Sequence, residues 1–115
     1  MIHGQKTKQM GREMNQRNAL VKSLAVSLIR DNKIQTTLAK AKVLKPFVER
    51  LITKAKVGDL NAKKYVSSKV GPASVKMVVE TIAPKYKTRN GGYLRIIKLN
   101  DRKNDGAKIA QIEFV

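Results

Sequence analysis

The chain is 115 residues long and 42% apolar, with 25 lysines and arginines against eight acids, a formal charge of +17. That apolar fraction supports a packed core and excludes a wholly disordered polypeptide, and the length fits one domain. The absence of cysteine excludes a disulfide framework and a thiolate metal site. The longest uncharged run is about seven residues, Ser23 to Ile29, against the roughly 20 that a membrane helix needs.

A charge of this size repels itself, and a compact polyanion relieves that cost. Nucleic acid is the commonest such partner, and a pI near 10.5 belongs to that class. Residues 1–58 carry 13 basic and 3 acidic side chains, and residues 59–115 carry 12 and 5. The charge is therefore spread over the whole fold rather than gathered in a tail, which suggests contact over a broad surface. No signal-peptide core follows Met1, so the expectation is a soluble intracellular protein. Residues 1–22 hold Glu13 as their single acid, which leaves a mitochondrial transit peptide open.

In chain order, residues 1–13 have two glycines, no apolar periodicity and a positive excess, which predicts an extended basic arm. From Asn15, a plausible N-cap, Leu20, Val21, Leu24, Leu28 and Ile29 recur at helical spacing to about Asp31. Asn32 is suited to the left-handed residue that closes such a helix. Lys33–Thr36 reads as a connector or short strand. Thr36 or Thr37 can cap a second helix with an apolar stripe at Leu44, Phe47, Val48, Leu51, Ile52 and Ala55, kinked at Pro46 and ended by Gly58.

A short third helix spans Asn61 to Lys69, with Tyr65 and Val66 inward. After Gly71-Pro72 a fourth carries Val75, Val78, Val79 and Ile82 and stops at Pro84. Tyr93–Leu99 and Ala107–Phe114 then read as strands, joined by turn residues from Asn100 to Gly106. In the last strand Ala110, Ile112 and Phe114 alternate with Gln111 and Glu113, the pattern of a half-buried strand. Helices followed by a hairpin predict a two-layer α+β domain.

Residues 87–103, KTRNGGYLRIIKLNDRK, place a glycine pair among Lys87, Arg89, Arg95, Lys98, Arg102 and Lys103. Asn90-Gly91 could turn a type I′ hairpin, but the upstream residues lack alternation. Glycines also let backbone N–H groups approach an anion closely, so a phosphate-facing loop flanked by Arg89 and Arg95 is the preferred reading. Lysines and arginines on helix two, Lys40, Lys42, Lys45, Arg50, Lys54 and Lys56, ordinarily form a solvated face. Here only Glu49 and Asp59 lie nearby in sequence to neutralise them. Tyr86 and Tyr93 are candidates for stacking on bases, with the core as their first claimant. His3 is the only histidine, and the chain lacks a nucleophile–base pair, a carboxylate cluster and metal-ligand spacing. Neither a cofactor nor an enzymatic activity is expected.

Four strings in register, MGREMNQRNALVKSLAVSLI, IQTTLAKAKVLKPFVERLITKAKVGD, IAPKYKTRNGGYLRIIKL and AKIAQIEFV, resemble the bacterial-type large-subunit ribosomal protein seventeen family. The likeness covers the chain from Gly11 onward, with TTLAKAK and RNGGYLRIIKL its most specific parts. It implies one ribosomal-protein domain over 1–115, with about four helices on a small mixed sheet. Within it, 1–13 is the arm, 14–83 is mainly helical, and 84–115 is loop and hairpin. It further implies a structural, non-enzymatic role on large-subunit ribosomal RNA, beside neighbouring large-subunit proteins, near the nascent-chain tunnel exit, with no membrane and no small-molecule substrate as partner. The setting implied is a cytoplasmic ribosome, with an organellar one left open. Positions implied to face RNA are Lys6, Lys8, Arg12, Arg17 and Lys22 in and after the arm, and Arg89, Asn90, Gly91, Gly92 and Arg95 around the glycine pair. Lys40, Lys42, Lys87, Arg102 and Lys103 join them on charge alone.

The main rival is a non-specific DNA-binding, nucleoid-type protein, which would usually need a dimer interface. A membrane-active cationic protein wants one basic amphipathic helix with aromatic anchors, whereas here every element is basic.

Overall fold

The structure, a computed structural model, describes the backbone of residues 2–115 and the side chains of residues 15–115. Helix α1 (Ile2–Asp31) leads into β1 (Lys33–Thr37), α2 (Leu38–Ala55) and α3 (Leu60–Val70). A run of helical turns follows, with a 3-10 turn at Pro72–Ser74, a π-type segment at Met77–Ile82 and a second 3-10 turn at Ala83–Tyr86. Strands β2 (Leu94–Lys98) and β3 (Ile109–Phe114) complete the chain. The helix bounds give no start at Asn15, since the backbone is already helical upstream of it and needs no cap there. The arm expected over 1–13 lies outside the residues whose side chains are described.

The joints are short and each has a local cause. Asn32 adopts φ 67° and donates its N–H to the Leu28 carbonyl at 2.7 Å, so the chain leaves α1 and enters β1 with one residue between them. Thr37 ends β1 and also caps α2, its hydroxyl accepting from the Lys40 N–H at 3.3 Å. Helix α2 runs on through Pro46, which lies on its exposed face. It closes with the Lys56 N–H on the Ile52 carbonyl and the Gly58 N–H on that of Ala55, both at 3.0 Å. Asp59 then caps α3 through the Ala62 N–H at 2.8 Å.

The sheet has the order β1-β3-β2, with both pairings antiparallel. This corrects the mixed sheet expected from the sequence: the last strand inserts between the other two and opposes both. Ile34 and Ile96 each face Ile112 across the sheet, and Ile112 is fully buried at the centre of that row. One continuous cluster joins this face to Val21, Ala25, Leu28 and Ile29 of α1, to the α2 stripe, and to Val66, Val78, Val79 and Ile82.

Three further expectations are corrected. Leu20 is 41% exposed, because Val21, Ala25 and Leu28 define the buried edge of α1 instead. Pro84 does not stop the fourth helical segment. It sits early in a 3-10 turn, where a missing N–H costs little, and the turn carries on to Tyr86. Tyr86 and Tyr93 are both in the core, with their ring centroids 5.2 Å apart, and so are withdrawn from base stacking. The Tyr86 hydroxyl donates to the Val115 carbonyl at 2.8 Å, and burial pushes its pKa up.

Candidate nucleic-acid interface

The glycine pair forms a loop, not a hairpin: a 3-10 turn rather than a strand leads into it, and β2 pairs only with β3. Gly91 and Gly92 take φ of 95° and 65°, a left-handed region that side chains with a Cβ rarely adopt. Lys87, Arg89 and Asn90 are exposed along the loop. The Arg89 guanidinium donates to the Gly92 carbonyl at 3.1 Å, which folds the loop onto itself.

Helix α2 fixes this loop through Glu49, Thr53 and Lys56, spaced four and three residues apart and so on one helix face. Glu49 accepts from the Leu94 N–H at 3.4 Å. The Thr53 hydroxyl lies 3.3 Å from the Tyr93 hydroxyl. Lys56 donates to that same hydroxyl at 3.2 Å and to the Arg89 carbonyl, and its ammonium also stands 5.3 Å from the Tyr93 ring centre. The hydrogen bond with Thr53, with the Lys56 contact behind it, holds the Tyr93 hydroxyl below its ordinary pKa. On sequence alone Lys56 is one more solvated charge and Thr53 carries no mark. The available signal is a polar row at 49, 53 and 56 beside the apolar stripe.

The single basic stretch read as 87–103 divides in space. Five residues of β2 span about 17 Å, so the glycine loop and the Asn100–Gly106 loop sit at opposite ends of that strand. Antiparallel pairing places Thr37, Ile109 and Lys98 at one end of the sheet, and the Leu38 N–H donates to the Lys108 carbonyl at 2.8 Å. Lys40 and Lys42, both exposed, therefore share that end with Arg102 and Lys103. The first turn of α2 contains no acid, so the positive end of the helix dipole adds to their field. Arg95, by contrast, lies toward the glycine-loop end of β2.

Two of the expected RNA-facing arginines have partners within the chain. Arg95 pairs with Glu113 at 3.4 Å and Arg102 with Asp105 at 3.1 Å. Both arginines remain more than half exposed. The Glu113 carboxyl is lowered in pKa first by the Gln111 amide, then by Arg95, with the charge of Lys33 adding. Asp105 is lowered chiefly by the Ala107 N–H, with Arg102 also contributing. Arg17 and Lys22 are exposed on α1, beside a groove shared with α2 and α3. Lys6, Lys8 and Arg12 lie outside the residues whose side chains are described.

Among the described residues, most acids are already engaged. Asp31 pairs with Arg30 at 3.0 Å, Asp59 caps α3, Glu49 holds Leu94, and Glu113 and Asp105 are paired as above. Three ion pairs form among these residues, so most of the positive charge has no counter-ion in them. No group of acids, histidines and cysteines that could hold a metal occurs among the described residues, and no helix there is long and apolar enough to cross a membrane.

The profile of the family described as Ribosomal protein L17 matches residues 20–115. Large ribosomal subunit protein bL17 of Campylobacter fetus is 47% identical over 116 residues, covering the whole of this chain and 98% of its own. The bL17 of Nautilia profundicola is 46% identical over 120 residues, with the same coverages. That of Campylobacter jejuni is 49% identical over 117 residues, covering this chain fully and 99% of its own. With the profile running through every element from the middle of α1 to β3, and relatives matched end to end, the chain belongs to the ribosomal protein L17 family.

Proposed function

We propose that the chain is a structural, non-catalytic component of the large ribosomal subunit, which binds and stabilises folded ribosomal RNA near the nascent-chain tunnel exit. Its relatives are named as large-subunit proteins, and the observation that carries the reading is the uncompensated charge. A chain of +17 whose acids are mostly committed to caps and internal pairs is built to sit against a polyanion. Lysines and arginines displace counterions condensed on RNA phosphates. Because the major groove of A-form RNA is too narrow for side chains to read, recognition is of folded shape.

The residues in contact are the exposed cations at both ends of the sheet: Lys87 and Arg89 with Asn90, Gly91, Gly92 and Arg95 at one, and Lys40, Lys42, Arg102 and Lys103 at the other. Arg17 and Lys22 on α1 extend the surface, and Lys6, Lys8 and Arg12 belong to the same reading. Neighbouring large-subunit proteins are its further partners, on a cytoplasmic ribosome.

A competition titration tests this. The purified chain, offered large-subunit ribosomal RNA and an equal mass of duplex DNA at physiological salt, should choose the RNA. Equal or tighter binding to the DNA would favour a nucleoid-type protein instead.

A further inference from the structure

We propose that the groove between α1, α2 and α3 is a nucleotide site that receives one unpaired base of the ribosomal RNA, with its adjoining phosphates on the rim. The proposal rests on the ribosomal reading above and adds the chemical class of ligand taken at one place.

The groove encloses about 550 Å³, inside the range of about 300–1,000 Å³ typical of pockets for small organic ligands. Its inner lining is apolar. Val21 is buried, Phe47 is half-buried, and Val43 stands 46% exposed although nothing polar in its side chain favours water. Its outer lining is cationic: Arg17, Lys22, Arg50 and Lys69 come from three different helices, all are exposed, and among the described residues no acid lines the groove. Lys69 lies 5.6 Å from the Tyr65 ring centre, which holds it toward the α3 side. The Asn18 amide and the Ser68 hydroxyl also line the groove. Ser68 donates its proton to the Tyr65 carbonyl at 2.7 Å, which leaves its oxygen free to accept.

An occupant must therefore have a flat apolar body, polar edges and negative charge at its margin. A nucleotide has all three, and phenyl rings and guanidinium planes are the usual platforms for unstacked bases. An acidic helical peptide matches the charge but needs a long track of apolar anchors at helical spacing, and among the described residues the apolar lining is only Ala19, Val21, Val43 and Phe47. The groove is also separate from the glycine loop, since Val43 and Lys56 are about 20 Å apart along α2.

The chain has no cysteine, so Val43→Cys and Asn90→Cys each install a unique thiol. Each variant, carrying a thiol-tethered iron chelate, is assembled into large subunits, where it generates hydroxyl radicals. Radicals from position 43 should cut a short RNA stretch distinct from that cut from position 90. Within that stretch one unpaired base should be protected from base-modifying reagents in wild-type subunits, and become several-fold more reactive in Arg50→Glu and Lys22→Glu subunits. RNA cutting from position 90 with none from 43, cleavage of a neighbouring protein rather than RNA from 43, or cutting from 43 without a protected base would each overturn the proposal while leaving the ribosomal reading standing. Failure of both variants and the wild-type chain to enter large subunits would overturn that reading itself.

Discussion

Lys56, at the end of α2, donates its ammonium hydrogen to the backbone carbonyl of Arg89, thirty-three residues further on, in the loop that carries the glycine pair. The same ammonium reaches the Tyr93 hydroxyl, so one side chain fixes both sides of that loop against the helical layer. A cation here positions the loop as well as adding to its field.

Lys56→Met keeps the length of the side chain and removes both hydrogen bonds. It should cost about 1–2 kcal/mol, the scale of a partly exposed bond from a charged donor, and speed amide exchange at residues 88–93. Binding of ribosomal RNA should weaken by more than the loss of one charge explains, so Lys56→Met should bind less well than Lys54→Met. Equal affinities would remove Lys56 from its positioning role.

Gly91→Ala tests the loop shape without crowding. A Cβ added at Gly91 meets nothing within 4 Å, so the penalty is purely that of a left-handed backbone, roughly 1–2 kcal/mol. Urea denaturation should show that loss without a change in slope. An unchanged midpoint would mean that the loop relaxes to another conformation.

Replacing Arg89 and Arg95 together by alanine should weaken RNA binding and flatten its log–log salt dependence by about 0.7–0.9 for each phosphate that is no longer neutralised. The Arg95 share should be smaller, since Glu113 already holds part of its charge at 3.4 Å. Affinity and slope both unchanged would sink the loop as an RNA-binding element.

The lowered pKa of Glu113 fixes the sign of a pH effect. A carboxyl depressed in the folded state adds stability above its unfolded pKa and loses it as pH falls through the folded value. Wild type should therefore melt above Glu113→Gln at pH 7, with the gap closing as pH drops below about 4.3. A gap independent of pH would show that Gln111, Arg95 and Lys33 do not stabilise the carboxylate.

Ile112 is fully buried and lies between Ile34 and Ile96. Ile112→Val should cost about 0.5–1.5 kcal/mol and leave RNA affinity unchanged for the folded fraction. Affinity falling in step with stability would mean that the sheet and the interface are not separable.

What the sequence made legible was local. The α2 stripe follows from helical spacing, the Asn32 and Thr37 joints from known terminal preferences, and the alternation of β3 from one face buried and one wet. Pairing was less accessible, because nothing within Lys33–Thr37 says that its partner lies beyond residue 108 or that it runs antiparallel. Tyr86 and Tyr93 carry both a ring and a hydroxyl, so base stacking stays compatible with their spelling even though the core has the first claim on them, and only tertiary contacts decide. The basic stretch 87–103 reads as one site on paper, but a strand lies within it and carries its two halves to opposite ends of the sheet. Lys56 was hidden because a tethering lysine and a solvated one look alike until the loop it holds is in place.

The most direct test of the ribosomal reading is sedimentation of the tagged chain through a density gradient of native cell lysate, at low and at high salt. The account predicts co-migration with the large ribosomal subunit under both conditions. Migration with DNA, or free at the top of the gradient at low salt, would contradict it.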